Sequence, residues 1–280
     1  MPDPTTAEPQ IGRALSERSF SIDASAFDDY YNGLALSREP NALVPTMLAG
    51  SPDNDYFGEI SFSNHRGHLW MRQEFEFFAP LEADERYVVS GQIRDIYARR
   101  DRSIVQYEVE LHDADGQLAL RSQHHQSFLR DREASGQVQF RDPGKKPGAR
   151  KFELPAGEPF GGLERKITLE MCGKFFHGNA SYHTDRAASK ELGFQDVVVG
   201  GRMTLAYAGH ILEELFGAPW WASGRLDLKF TNPTWPDDVV TARGIVTGPD
   251  PDDPSRTGAF VWIEKSDGTI VLVANASAIS

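Results

Sequence analysis

The sequence predicts an α+β protein made of two copies of one unit, with antiparallel strands in both copies and a long central helix in the second. Three observations lead to this prediction. Strand-like segments follow one another in each half, one strongly apolar helix lies in the second half, and turn residues recur between the halves at a nearly fixed offset.

The first half is predicted to contain one helix and four strands. Residues 1–19 are polar and are predicted to be a loose leader. A helix is predicted over Ala24–Leu36, capped by Asp23 or Ser25, and Gly50 to Gly67 is predicted to be a loop. The predicted strands are Trp70–Phe78, Tyr87–Tyr97, Ile104–His112 and Leu118–Leu129, with Asp115-Gly116 as the last hairpin turn.

The second half repeats this order after a charged segment that is rich in Gly and Pro. That segment, residues 131–159, is predicted to link two domains, residues 20–130 and residues 160–280. The predicted strands of the second domain are Arg165–Glu170, Gly224–Phe230, Val239–Thr247, Gly258–Lys265 and Thr269–Ala278.

The long helix of the second half is predicted to begin near Met203. It is apolar on most of its faces, which is typical of a buried helix. Gly200 and Gly201 precede it and Gly217 marks its end. A helix start beside glycines offers backbone N–H groups to an anion or a polarised carbonyl, although close packing alone also accounts for such glycines.

The internal repeat can be followed residue by residue. Pro80, Asp84 and Gly91 of the first half recur 153 residues later as Pro233, Asp237 and Gly244. The same offset places the counterpart of the long helix at residues 47–55, MLAGSPDND, which has no helical pattern. The first copy is therefore predicted to have lost or shortened its central helix.

Composition excludes several classes of function. The formal net charge of −12 argues against a nucleic-acid partner or an anionic membrane surface. The single cysteine, Cys172, excludes an intrachain disulfide and a multi-cysteine metal site. The start of the chain lacks the apolar core of a signal peptide, and no apolar run is long enough to span a bilayer. These features predict a cytoplasmic protein.

The stretch SYHTDRAASKELGFQDVVVGGRMTLAYAG resembles the MaoC-like, or hydratase-2, motif of (R)-specific enoyl-CoA hydratases. That motif is G-D-x-N-P, an aliphatic residue, His, five residues and Ala or Ser, and its second half is matched by His183 and Ser189. Residues 68–81, HLWMRQEFEFFAPL, are similar to the degenerate N-terminal domain of the same family. The resemblance implies a tandem, or double, hotdog fold, whose first domain carries no catalytic dyad.

The resemblance also implies a hydratase or dehydratase that acts on an enoyl or 3-hydroxyacyl thioester, bound to CoA or to an acyl carrier. His183 would be the acid–base residue, with His177 or Tyr182 as its partner. The thioester carbonyl would be bound by residues around the helix start, namely Asn179, Gly200, Gly201 and Arg202. Neither a metal nor an organic cofactor is expected, and the chain could form a homodimer or pair with a second hotdog subunit.

The sequence departs from the motif at the catalytic aspartate. Gly178 occupies that position, or His177 if one residue is inserted, and no acidic residue lies between Glu170 and His183. Asp185 is the nearest carboxylate and is predicted to cap a short helix over Arg186–Leu192, a role for which Thr184 competes.

Two alternatives follow from this departure. The first is a subunit that binds an acyl thioester, or acts as a scaffold, without catalysis. The second is a hotdog thioesterase, which an acidic residue on the pocket side of the long helix would favour; Glu213 and Glu214 lie near its far end.

Other charged and titratable residues are given structural or accessory roles. Four histidines of the first half are predicted to be solvated or structural, because they lack the spacing and acidic companions of a metal site: His65, His68, His124 and His125. Four basic residues of the second half are candidate contacts for a CoA-like phosphate: Lys174, Arg202, Arg225 and Lys229.

Overall fold

The computed structural model describes residues 8–39, 43–63, 66–129, 153–176, 181–191 and 194–279. The first half contains β1 (Ala14–Phe20), α1 (Ala24–Leu34), a 3-10 helix (Thr46–Tyr56), α2 (Phe57–Ile60), β2 (Arg66–Phe77), β3 (Tyr87–Arg99), β4 (Arg102–His112) and β5 (Leu118–Leu129). The second half contains β6 (Glu158–Lys166), α3 (Leu169–Phe175), α4 (Arg186–Glu191), α5 (Gly201–Phe216), α6 (Ala218–Ser223), β7 (Arg225–Phe230), β8 (Val239–Pro249), β9 (Arg256–Lys265) and β10 (Ile270–Ile279).

The ten strands form one antiparallel sheet in the order β1-β3-β4-β5-β2-β7-β10-β9-β8-β6. From its middle outward, the sheet runs β2-β5-β4-β3-β1 on one side and β7-β10-β9-β8-β6 on the other. Each strand of the first half therefore has a counterpart five strands later in the same relative position. This symmetry confirms that the chain consists of two copies of one unit.

The repeated turn residues occupy equivalent places in the two copies. Asp84 and Asp237 both adopt left-handed backbone conformations, with φ of 63° and 73°. The Asp84 N–H donates to Ile22 O at 2.8 Å, and the Asp237 N–H donates to Ile167 O at 2.6 Å. Each aspartate thus forms a turn that is hydrogen-bonded to a residue just after the first strand of its own copy. This shared role explains why the same residue type recurs.

The two copies join where β2 pairs with β7. Residues 72–76 of β2 pair with residues 225–229 of β7. Cross-strand ion pairs support the junction on the polar face, since Arg72 Nε lies 2.7 Å from Asp227 Oδ1 and Arg225 Nη2 lies 2.9 Å from Glu76 Oε1. Exposed ion pairs of this kind contribute little energy, but they fix which residues face each other.

Helix α5 forms the centre of the second half, as predicted. It begins after Gly200, ends at Gly217, and packs against β6, β8, β9 and β10. Most of its residues from Met203 to Leu212 are buried, which matches an apolar pattern too broad for a surface helix. Among the helices of the described residues, none has the length and apolar character needed to cross a membrane.

The first half has a 3-10 helix where the repeat offset places the counterpart of α5. This segment and the four-residue α2 that follows lie in the stretch predicted as a loop, so that prediction was wrong from Gly50 to Ile60. Pro52 inside the segment and the glycine at its centre disfavour a regular α-helix. The central helix of the first copy is therefore shortened, as the fold prediction stated.

The 3-10 helix is capped from the other half of the chain. Glu213 Oε1, on α5, accepts hydrogen bonds at 2.7 Å from both the backbone N–H and the hydroxyl of Thr46. Burial raises the pKa of the Glu213 carboxyl to about 7, against the lowering effect of these two bonds. The carboxyl group thus titrates near neutral pH in the folded protein.

We expect Glu213→Gln to increase the free energy of unfolding by about 2 kcal/mol at pH 8 and to leave it nearly unchanged at pH 5. The folded pKa of Glu213 lies above the ordinary value of 4.5, so the folded state binds the extra proton and loses stability as the pH rises from 4.5 to 7. Glutamine keeps an acceptor oxygen for Thr46 without a charge. Urea unfolding at the two pH values measures the difference, and an equal effect at both would contradict the assignment.

Three further predictions required correction. The supposed loose leader contains β1, whose residues pair with β3 at the edge of the sheet. The strand predicted at Arg165–Glu170 is instead the end of β6 followed by α3, which Thr168 caps through Met171 N at 3.2 Å. Of the predicted linker, residues 131–152 lie outside the described residues and residues 158–159 begin β6.

Candidate active site

A cavity of about 640 Å³ lies between the start of α5 and the 3-10 helix of the first half. Its wall includes residues of both copies: Ser51, Asn54, Asp55, Phe57, His68 and Trp70 from the first, and Phe176, Tyr182, His183, Gly200, Gly201 and Arg202 from the second. The predicted site residues that the structure describes are all on this list. The structure therefore brings them together, and adds first-half residues to them.

His183 is held in one tautomer by the backbone. Its Nδ1 lies 2.7 Å from Val198 O. Because a carbonyl oxygen can only accept, Nδ1 carries the hydrogen and Nε2 is left as an acceptor. Burial is the main cause that lowers the pKa of His183 to about 4; His68 and the charge of Arg202 add to the lowering, and the hydrogen bond to Val198 O opposes it. The imidazole is therefore neutral at physiological pH.

The turn that carries His183 is hydrogen-bonded to the segment that precedes α5. The Val198 N–H donates to Tyr182 O at 3.2 Å, next to the bond that His183 donates to Val198 O. The imidazole ring stacks on Phe176, with the ring centroids 5.2 Å apart. These contacts fix the ring beside the start of α5, which is the local geometry that a positioned base requires.

Tyr182 connects this turn to the first half of the chain. Its hydroxyl lies 3.0 Å from His68 Nε2, and burial raises its pKa to about 12. His68, which was predicted to be solvated or structural, lies in the cavity wall beside Tyr182. Its position on β2, which joins β7 at the middle of the sheet, brings it there.

The two glycines at the start of α5 allow close packing and leave backbone N–H groups at the cavity. A Cβ atom on Gly200 would lie 2.2 Å from the ring of Phe176, and one on Gly201 would lie 2.9 Å from the ring of Trp70. The Met203 N–H donates to Gly200 O at 2.9 Å. The N–H groups before it, those of Gly201 and Arg202, have no partner within the helix, as is usual at an α-helix start, and can bind a ligand oxygen. The packing role and the binding role thus coexist.

Arg202 follows the glycines and reaches the first half. Its Nη2 donates to Ser51 Oγ, and the guanidinium lies over the ring of Phe175. Burial lowers the pKa of Arg202, whereas the carboxylates of Asp55 and Asp53 oppose that shift. Its buried Nε has no hydrogen-bond partner among the described residues. Of the four basic residues considered as phosphate contacts, Arg202 alone lines this cavity.

The other predicted residues are distributed as follows. His177, Gly178 and Asn179 lie outside the described residues, as does His65. Asp185 is exposed and accepts from Ala188 N at 2.8 Å, which confirms its role as the cap of α4. Two further histidines that were predicted to be solvated or structural, His124 and His125, are buried in the sheet.

A second cavity of about 670 Å³ lies on the outer face of the sheet, across the β2–β7 junction. Its wall contains the ion-paired side chains of Glu76, Arg121 and Arg225, and none of the predicted site residues. We therefore place the candidate active site in the inner cavity.

Comparison with known proteins bears on this assignment. Residues 165–259 match the family model described as a MaoC like domain. These residues form a MaoC-like domain. Among curated proteins, none matches the sequence.

Several solved structures are similar in fold to almost the whole chain. A MaoC-like dehydratase from Phytophthora capsici is 14% identical, with a TM-score of 0.72 over 96% of this chain and 95% of the other. Peroxisomal multifunctional enzyme type 2 from Drosophila melanogaster is 16% identical, with a TM-score of 0.68 over 95% of this chain and 48% of the other. A Mycobacterium tuberculosis protein described as a double hotdog is 12% identical, with a TM-score of 0.63 over 96% of both chains.

The chain therefore has a double-hotdog fold, and the MaoC-like domain in it contains His183, Gly200 and Gly201. At these levels of identity, the solved structures establish the fold. The MaoC-like domain itself indicates chemistry of the hydratase or dehydratase type.

Proposed function

We propose that this protein is a hydratase or dehydratase that interconverts an enoyl thioester and a 3-hydroxyacyl thioester, with the acyl group carried by CoA or by an acyl-carrier protein. The observation that carries the proposal is the neutral His183, whose Nδ1 is bonded to Val198 O and whose Nε2 is left as an acceptor beside the glycine start of α5. The geometry thus combines a base with a carbonyl-binding helix terminus in one cavity.

The reaction uses each group at a defined step. His183 Nε2 removes a proton from water as the water oxygen forms a bond to C3 of the enoyl group. The electron pair of the C2–C3 double bond moves toward the thioester carbonyl, and the N–H groups at the start of α5 stabilise the charge that develops on its oxygen. Protonation of C2 then completes the 3-hydroxyacyl thioester, and dehydration is the reverse sequence.

The aromatic wall supports this chemistry by lowering the polarity around the thioester carbonyl. Phe176 stacks on the His183 ring, and Phe230 lies against Trp70 with the ring centroids 4.7 Å apart. An apolar environment of this kind strengthens the interaction between backbone dipoles and a developing oxyanion. The cavity volume of about 640 Å³ is within the range of small-molecule sites.

The direct test is a spectroscopic assay of the purified protein with crotonyl-CoA and with a longer enoyl-CoA. We expect the enoyl-thioester absorbance to decrease with time and a 3-hydroxyacyl-CoA product to appear. Release of free thiol is measured in the same samples with a thiol reagent. Thiol release without loss of the double bond would replace the proposed activity with a thioesterase.

The feature that would favour a thioesterase is an acidic residue on α5 that faces the cavity. Glu213 is bonded to Thr46, and neither Glu213 nor Glu214 lines the cavity. The alternative of a binding subunit without catalysis is favoured by the missing motif aspartate. For that alternative, acyl-CoA binding in a calorimeter would be accompanied by no conversion in either assay.

A further inference from the structure

Two carboxylates that follow His183 in sequence, Asp185 and Asp196, are engaged elsewhere. Asp185 is exposed and caps α4 through Ala188 N, and Asp196 pairs with Arg186 at 3.0 Å. Neither lines the cavity. Among the described residues of the second half, none places a carboxylate in the cavity wall.

The first half does place a carboxylate there. Asp55 lies near the end of the 3-10 helix and lines the same cavity as His183 and Gly201. Its side chain is exposed, and among the described residues none forms a hydrogen bond or an ion pair with it. The carboxylate is therefore available to a water molecule or a substrate in the cavity.

The segment that carries Asp55 is anchored by two hydrogen bonds, one to β2 and one to the start of α5. Two residues earlier, Asp53 is buried and accepts from Gln73 Nε2 at 2.9 Å, which ties the 3-10 helix to β2. Four residues before Asp55, the Ser51 hydroxyl accepts a hydrogen bond from Arg202 at the start of α5. Since a 3-10 helix rises about 2 Å per residue, Asp55 lies roughly 8 Å along the helix from the position of Ser51.

Arg202 acts electrostatically on both groups. Its charge lowers the pKa of His183 and, after that of Arg18, opposes the rise that partial burial causes in the pKa of the Asp55 carboxyl. The charge of one guanidinium therefore acts on both His183 and Asp55, which agrees with their common place in the cavity wall.

We propose that Asp55 is the carboxylate that acts together with His183, so that each half of the chain supplies one of the two groups that act on the attacking water. This inference rests on the proposed hydratase function and adds a catalytic residue to it. The first copy, in which the central helix is shortened, then contributes to catalysis through the 3-10 helix that replaces this helix.

The proton balance is simple. The Asp55 carboxylate accepts one hydrogen of the attacking water as a hydrogen bond and orients the molecule, while His183 Nε2 takes the other hydrogen as a proton. The hydroxyl oxygen bonds to C3, and the electron pair of the double bond moves to the thioester enolate. The imidazolium, stabilised by the Asp55 charge, returns its proton to C2, so both residues regain their initial states.

The test compares two isosteric substitutions that each remove one carboxylate, Asp55→Asn and Asp185→Asn. Asparagine is also a good helix cap, so Asp185→Asn keeps α4 intact and is the matched control. We expect Asp55→Asn to reduce kcat/KM for enoyl-CoA hydration at least about 100-fold, and Asp185→Asn to change it less than about twofold. Activity of Asp55→Asn within about threefold of wild type, or loss in Asp185→Asn instead, would overturn the inference.

A second measurement separates this inference from the proposed function, because it requires no turnover. The ¹⁵N signals of the His183 ring are titrated with acid in wild type and in both variants. Asp55→Asn should lower the pKa of His183, because the fraction of Asp55 that is ionised near pH 4 favours the imidazolium, and Asp185→Asn should not. An unchanged His183 pKa in Asp55→Asn would refute the pairing whether or not wild type hydrates an enoyl-CoA.

Discussion

His183→Ala is expected to lower kcat/KM for enoyl-thioester hydration by about three orders of magnitude. The substitution removes the Nε2 acceptor from the cavity and leaves the helix start of α5 in place, so substrate binding should weaken much less than turnover. The measurement is the loss of enoyl-CoA absorbance over a range of substrate concentrations. Full activity of the variant would remove the role assigned to His183.

A second variant separates the base from the hydrogen bond that positions it. His183→Asn retains an amide N–H that can donate to Val198 O in place of Nδ1, but it has no group corresponding to Nε2. We expect it to be folded like wild type and as inactive as His183→Ala. His112→Ala, at the end of β4 and outside the cavity, serves as the control for loss of a histidine and should retain activity.

The pH dependence of wild type follows from the same residue. Burial lowers the pKa of His183 to about 4, so its base form persists well below the ordinary histidine pKa of about 6.5. The decline of kcat/KM on acidification should therefore begin below pH 6.5.

Local sequence patterns were sufficient for most of the sheet and for α5. The strand β5, Leu118–Leu129, has the predicted bounds, and α5 begins and ends at the predicted glycines. Both rest on strong local signals, namely turn residues and the apolar pattern. The offset between Asp84 and Asp237 also predicted the tandem architecture, because each position requires a left-handed turn that few residue types adopt readily.

Elements that depend on distant contacts could not be predicted in the same way. β1 has a largely polar sequence and is a strand because β3 provides its hydrogen-bond partners. The 3-10 helix contains Pro52 and is capped by Glu213, which lies 167 residues away from Thr46 in the chain. No local pattern indicates a cap of this kind, so the segment was interpreted as a loop.

In the candidate site, too, some residues could be predicted from local patterns and others could not. The turn around His183 and the glycines before α5 were found because they are close in sequence and resemble one motif. His68 and Asp55 were missed because they reach the cavity only through the β2–β7 junction and the 3-10 helix. A chain with two copies of one unit can thus divide a site between the copies, and the residues of the degenerate copy have no motif by which to recognise them.

The second large effect is expected for Trp220→Ala, which should reduce the free energy of unfolding by about 4 kcal/mol. Trp220 is fully buried, and its ring lies 5.6 Å from that of Phe216 and from that of Phe77. Its Nε1 donates to Thr46 Oγ1 at 3.0 Å. The substitution therefore creates a cavity and removes a contact between α6 and the start of the 3-10 helix. Urea unfolding of the variant measures the loss.

Trp220→Phe distinguishes the two contributions, because it retains an aromatic ring and removes the Nε1–H donor. We expect it to cost about 1 kcal/mol, the usual contribution of a single buried hydrogen bond, plus a small packing loss. Thr46 begins the 3-10 helix that carries Asp55. Loosening this contact should therefore also reduce kcat/KM, while the structure of α5 stays unchanged. A variant that is destabilised to the expected extent but fully active would show that the 3-10 helix does not need this anchor to hold the cavity wall in place.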